Sequence, residues 1–208
     1  MILIGQYDSP FVRRVGIALV HLGFPFEHRP WSVFSDSDKI APYNPLVRVP
    51  TLVLADGEAL LDSAVILDYL DGLSAPDRRM IPLTEPERRH ALWVTTLATG
   101  MAEKAVSLFY EKRLHSQISE VWAARCQMQM LGALAALEQR LGGRTSRFWF
   151  GDRLFHADVA VAAAFRFVNE AHPGIVAPST VPHVTAFCRE LEDMALFKTI
   201  SQAFIPPA

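Results

Sequence analysis

Asn44-Pro45-Leu46-Val47-Arg48-Val49-Pro50-Thr51-Leu52-Val53 is the stretch on which the fold of this chain turns. From Thr51 the residues are aliphatic or β-branched and read as a strand, yet a proline stands directly before them. Proline has no amide to give to a ladder, so Pro50 suits only the start or edge of a strand, or a cis Val49–Pro50 bond. A cis bond leaves the amide and carbonyl of Val49 facing outward, open to pairing with an extended peptide. The stretch alone is compatible with either arrangement.

Reading downstream, residues 51–54 and 58–61 are two short apolar runs joined by Ala55-Asp56-Gly57, where the Asp-Gly pair predicts a tight hairpin because such turns need positive φ. Asp62-Ser63 then opens a helix over 64–73. Upstream, residues 1–5 form an apolar run suited to a buried strand. Ser9-Pro10 starts a helix in which Val12, Val15 and Leu19 repeat at helical spacing until Gly23. Residues 24–29 carry a second strand and 35–44 only a short helix. The predicted order is βαβαββα.

Residues 74–86 hold three prolines and no apolar period, which marks a linker. Beyond it every segment reads as helix: 87–114, 118–141 with Met130, Leu134, Leu137 and Leu141 as an apolar stripe, an almost uncharged 157–171, and shorter helices over 184–193 and 195–203. The expected organisation is an α/β domain over 1–76, a linker over 77–86 and an all-helical domain over 87–208.

Composition narrows the function classes. Twenty basic residues against 22 acidic ones give a net charge of −2, which offers no footprint for a phosphate backbone, so no nucleic-acid partner is expected. Cys126 and Cys188 stand far apart and have no neighbours at metal-ligand spacing, so buried thiols in a reducing compartment and no metal site are expected. No apolar run approaches the roughly 18 residues that span a bilayer. A soluble cytoplasmic protein without a membrane partner is the expectation.

Three places offer chemistry. Ser9 with Pro10 is an ordinary N-cap pairing, and the same hydroxyl at the positive end of a helix can donate to a thiolate. Asp62-Ser63 has the same capping explanation. It also suits an α-amino-acid head group, with Asp62 accepting from the ammonium and Ser63 donating to the carboxylate. Val49 is the third, through its backbone.

With these residues in one βαβαββα frame, the chain resembles the glutathione transferase superfamily over nearly its whole length. Ser9-Pro10-Phe11, Arg14-Val15-Gly16-Ile17-Ala18-Leu19, Asn44-Pro45-Leu46 through Val49-Pro50, Asp62-Ser63, and Gly151-Asp152-Arg153-Leu154 with Ala157-Asp158 carry the resemblance. It looks closest to bacterial and serine-type members. The resemblance implies a thioredoxin-like domain followed by a helical bundle, a catalytic residue at Ser9, a backbone clamp on the glutathione cysteine at Val49 with cis Pro50, and γ-glutamyl recognition at Asp62 and Ser63. Phe11 and Arg48, inside the same motifs, join the expected glutathione contacts.

What the resemblance implies for activity is conjugation of glutathione to a small apolar electrophile held between the domains, by a homodimer, with glutathione as co-substrate and no cofactor. Tyr7, Met101 and Lys104 are candidates for the second-substrate pocket, and Tyr7 is also a rival for the catalytic hydroxyl. Two alternatives stand beside conjugation. One is glutathione-dependent isomerisation of the maleylacetoacetate or maleylpyruvate type, for which Arg13 and Arg48 are the nearby cations. The other is a non-catalytic module that binds glutathione or protein. One departure from the family pattern is Phe155, where members usually place the Ser or Thr of a capping box that Asp158 completes.

Overall fold

The computed structural model describes residues 1–206. The chain divides into two compact units, one built from residues 1–81 together with residues from 194 onward, the other from residues 82–193.

In the first unit, β1 (Ile2–Ile4) leads into α1 (Pro10–Leu22), followed by β2 (Glu27–Arg29), the short α2 (Ser37–Ile40), β3 (Thr51–Val53), β4 (Ala59–Leu61) and α3 (Ser63–Leu73). The sheet order is β2-β1-β3-β4. β1 pairs with β2 in parallel and with β3 antiparallel, Leu3 opposite Leu52. The four strands are each only three residues long. The Asp56-Gly57 turn closes the β3–β4 hairpin with Gly57 at φ 92°.

α1 shows why its sequence is helical and how deeply it is buried. Ser9 caps it, Pro10 takes its first turn, and Gly23 ends it at φ 81° with its amide turned back to the carbonyls of Leu19 and Val20. Val12, Val15, Ile17 and Leu19 lose all solvent exposure. Burial of one such side chain stabilises by about 1.5 to 3 kcal/mol, and because α1 is buried nearly all round it is a major part of the unit's core.

The second unit holds α4 (Glu87–Leu114), α5 (Glu120–Leu141), α6 (His156–Ala171) and α7 (Pro182–Glu192). α4 packs along both α5 and α6. α6 is buried along most of its length, as its lack of charge predicts. Its cap is half a capping box. Asp158 accepts from the Phe155 amide at 2.8 Å, and Phe155 has no side-chain acceptor with which to reciprocate. The second carboxylate oxygen accepts from the Trp149 amide, also at 2.8 Å, tying the preceding loop to the helix. α7 starts at Pro182 with no cap of its own; Glu138 of α5 supplies one, accepting from the amides of His183 and Val184 at 2.9 and 2.8 Å.

The end of the chain departs from expectation. The sequence reading carries the last helix to residue 203 and places it in the helical domain. The last helix, α8 (Ala195–Thr199), stops earlier, and residues 194–206 belong to the first unit. The cause is Arg13, whose side chain is 2 % exposed and donates to the carbonyls of Ile200 at 2.9 Å and Phe197 at 3.1 Å. A buried guanidinium needs acceptors, and the tail provides them. Among the described residues no helix is long and apolar enough to cross a membrane.

Candidate active site

Gly5 ends β1 at φ 126°, a conformation only glycine adopts readily. A Cβ there would lie 2.5 Å from Val12 Cγ2 and 2.8 Å from Val49 Cβ, so the missing side chain lets the Val49 loop close against the first turn of α1. The sequence around Pro50 and the sequence around Ser9 meet for this reason.

At the start of α1, the Ser9 hydroxyl accepts from the Val12 amide at 3.4 Å. A hydroxyl has one proton and two lone pairs, so accepting from the helix leaves the Ser9 proton to donate to a second partner. The residue is half-buried, and Phe11, also half-buried, follows it in the first turn. The positive end of a 13-residue helix stands behind the hydroxyl.

The Val49–Pro50 peptide is cis, which resolves the two arrangements open to the sequence. The loop before it is organised by Asn44, whose side chain is 1 % exposed. Its amide nitrogen donates to the Arg48 carbonyl at 2.8 Å and to Thr51 Oγ1 at 3.1 Å, while its oxygen accepts from the Leu46 amide at 2.9 Å. Thr51 Oγ1 donates in turn to the Arg48 carbonyl at 3.3 Å. Arg48 therefore contributes its carbonyl to the loop, and the residue itself is exposed. Val47 is held at φ 48°, rare for a β-branched residue and sustained by this network.

At the start of α3, Asp62 adopts φ 70° and its carboxylate accepts from the Ala64 amide at 2.7 Å. Asp62 is exposed; Ser63 beside it is buried. Arg14 of α1 reaches behind Ser63, with Nη1 3.5 Å from the hydroxyl. Burial lowers the Arg14 pKa to about 10, an effect opposed by the charge of Asp62, so the guanidinium stays cationic at neutral pH.

Of the second-substrate candidates, Tyr7 lies in the first unit and Met101 and Lys104 in the second. The Tyr7 ring stacks on His28 at 3.9 Å between centroids, and its Cε1 would lie 2.8 Å from a Cβ on Gly16. Position 16 is seven residues into the helix beyond Ser9, roughly 10 Å along its axis. Tyr7 is thus a packing partner of the middle of α1, and burial pushes its phenol up to about 12, leaving it neutral at physiological pH. Met101 is fully buried within the helical unit, and Lys104 lies 5.5 Å from the Trp122 ring centroid in the same unit. Asn44 and Arg14 stand inside the motifs at the start of the site, and neither has a role visible in the sequence. Nothing in their local pattern signals a role, since each acts on residues brought to it by folding.

A mixed four-stranded βαβαββα unit with a cis-proline before β3, followed by a helical bundle, defines a thioredoxin-like domain joined to an all-helical one. The family model described as glutathione S-transferase, N-terminal domain, matches residues 3–78, and that described as glutathione S-transferase, C-terminal domain, matches residues 120–190. The chain belongs to the glutathione S-transferase family. It is 31 % identical over 170 residues to the GST-like protein YibF of Escherichia coli K12, covering 81 % of this chain and 82 % of the relative. It is 26 % identical over 200 residues to a probable glutathione S-transferase of Oryza sativa subsp. japonica, covering 91 % and 84 %. A solved Methylobacterium radiotolerans glutathione S-transferase in complex with glutathione sulfonate superposes with a TM-score of 0.89 at 26 % identity, covering 100 % of this chain and 98 % of the neighbour.

Proposed function

We propose that the protein is a glutathione transferase in which the Ser9 hydroxyl donates to the glutathione sulfur and holds it as the thiolate, which then attacks a small apolar electrophile. The observation that carries this reading is the placement of Ser9: its oxygen satisfies the Val12 amide, its proton is left to donate, and a helix N-terminus stands behind it. Val49 would pair with the cysteinyl backbone of glutathione. Asp62 and Ser63 would take the ammonium and carboxylate of its γ-glutamyl end. The glutathione sulfonate in the Methylobacterium neighbour supports glutathione as the ligand class.

The energetic demand is modest. A free thiol titrates near 8.5, so half-ionisation at pH 7 requires about 1.5 pKa units, or about 2 kcal/mol. A charge-assisted hydrogen bond of about 1.5 to 3 kcal/mol and a helix terminus of about 0.3 to 1 kcal/mol cover it. The isomerase alternative would call on Arg13 and Arg48 as carboxylate receptors; the Arg13 guanidinium is committed to the carbonyls of Phe197 and Ile200, which leaves that reading the exposed Arg48 alone. We further assign the protein to the cytoplasm as a homodimer, an assembly that light scattering checks by returning about twice the 23.2 kDa chain mass.

The test is ultraviolet titration of the bound thiolate together with turnover of glutathione and an activated aryl halide. Ser9→Ala should leave glutathione affinity nearly intact, raise the bound thiol pKa by about one to two units, and lower turnover at neutral pH accordingly. Coincident titration curves in wild type and Ser9→Ala would remove Ser9 from the catalytic role.

A further inference from the structure

Ser9 is fixed only loosely by its own helix. The contact between its oxygen and the Val12 amide spans 3.4 Å, beyond the roughly 2.7 to 3.2 Å at which an N–H···O bond is strong. Its amide donates back to the Gln6 carbonyl at 3.2 Å. Where the hydroxyl points is therefore set by the turn at Tyr7 and Asp8 that leads into α1.

That turn is held by side chains from elsewhere in the first unit. His28 Nε2 donates to the Gly5 carbonyl at 2.8 Å, and the Tyr7 ring stacks on the His28 ring. Tyr7 Cε1 and Ile200 Cγ2 fill one notch on α1, where a Cβ on Gly16 would lie 2.8 and 2.9 Å from them. Ile200 is 4 % exposed and seats the tail beside Tyr7. Two residues further on, the half-buried Gln202 accepts from the Tyr7 amide at 3.2 Å, across 195 positions of sequence. The Asp8 carboxylate accepts from the Ile205 amide at 3.1 Å, an exposed contact at which water competes. Of these two bonds from tail to turn, that of Gln202 is the better sheltered.

We propose that Gln202 is a positioning residue for the reaction: by holding the Tyr7 amide, it sets where the Ser9 hydroxyl points when it donates to the glutathione sulfur. The proposal rests on the Ser9 reading given above. Tyr7 and Ser9 are two residues apart, at most about 7 Å of chain, so a shift of the first is passed to the second. Misplacing a catalytic group by about 1 Å can cost about 100-fold in rate, so loss of this one anchor is large enough to measure.

The test is ultraviolet titration of bound glutathione in wild type, Gln202→Met, Ser9→Ala and the double variant. Methionine keeps the length of the side chain and removes the acceptor. Gln202→Met should raise the bound thiol pKa by about 0.5 to 1 unit, half of the shift expected for Ser9→Ala. Turnover should fall about three- to tenfold at pH 6.5 and converge with wild type above the thiol pKa, while glutathione affinity stays within about twofold. In the Ser9→Ala background the same substitution should move the titration by less than about 0.2 unit, because no hydroxyl remains to be placed. A shift of equal size in both backgrounds, or none in the wild-type background, overturns the proposal. If Gln202→Met does not fold, Gln202→Asn, too short to reach the Tyr7 amide, takes its place with the same outcomes. Should Ser9→Ala itself titrate with wild type, the Ser9 reading fails and the role of Gln202 falls with it.

Discussion

Arg13 Nε donates to the carbonyl of Ile200 at 2.9 Å across 187 positions of sequence, and through this bond the tail becomes part of the first unit. The same region is held by Gln202, whose side-chain oxygen accepts from the Tyr7 amide at 3.2 Å, and by Asp8, which accepts from the Ile205 amide at 3.1 Å. Tyr7, Asp8 and Arg13 flank Ser9, so the tail braces the segment that presents the proposed catalytic hydroxyl.

Arg13→Met should therefore destabilise the protein by about 3 to 5 kcal/mol, because it leaves two carbonyls without the donor they face. Arg13→Lys should recover only part of this, a single ammonium being unable to reproduce the planar fork. Urea unfolding measures both. Midpoints within error of wild type would mean that the tail is held by its other contacts alone.

Asn44→Ala should act on the Val49 loop from inside. Three hydrogen bonds disappear and the Leu46 amide and Arg48 carbonyl lose a partner, which should cost about 2 to 4 kcal/mol of stability. Glutathione affinity should fall as well, since the backbone of Val49 is no longer fixed. Asn44→Asp is the informative companion, because it keeps the acceptor for Leu46 and loses both donors. Calorimetry showing undiminished glutathione binding in a folded Asn44→Asp would show that the loop is preorganised by other means.

Asp62→Asn separates capping from recognition. Asn tolerates positive φ and can still accept from the Ala64 amide, so the melting temperature should hold within a degree or two. Glutathione affinity should drop about tenfold through loss of the charge proposed to face the ammonium. A fall in stability with unchanged affinity is the reverse pattern and would make Asp62 only a cap.

Asp158 predicts a pH dependence with a definite sign. Burial raises its pKa from 3.8 to about 6, against the opposing pull of the Trp149 and Phe155 amides. The folded state thus binds this proton more tightly than the unfolded state does. Its contribution is present in full below about pH 4 and is lost as pH rises through about 6. At about 1.4 kcal/mol per unit, the advantage of wild type over Asp158→Asn should shrink by about 2 to 3 kcal/mol between pH 4 and pH 7. Urea unfolding at several pH values tests this, and parallel pH profiles for the two proteins would contradict it.

Much of the fold was legible because its signals are local. Asp56-Gly57 can make only a few turns, Ser9-Pro10 and Gly23 bracket a helix with the right apolar repeat, and a proline before Thr51 restricts the loop to two geometries. Of the site, the residues that present themselves at helix starts were visible for the same reason. Those that act at long range were not. Asn44 reads as a turn residue, Arg14 as one more charge on a helix, and Glu138 as an exposed carboxylate, until folding shows what each one faces. The tail reads as part of the helical domain because it follows the other helices in sequence. Local pattern reports that a segment is helical and is silent on which partner buries it.

The two-part make-up of the first unit bears on how the protein is made. Residues 82–193 form a continuous stretch, whereas the thioredoxin-like unit is built from residues 1–81 and from segments near residue 200. At about 5 to 20 residues per second, the interval between synthesis of Ile81 and of Ile200 is roughly 6 to 24 s. Throughout that interval Arg13 lacks the carbonyls it pairs with in the native state, and the segment bearing Ser9 lacks its brace. The proposed glutathione site, although its residues are made early, is thus braced only once the tail has been made.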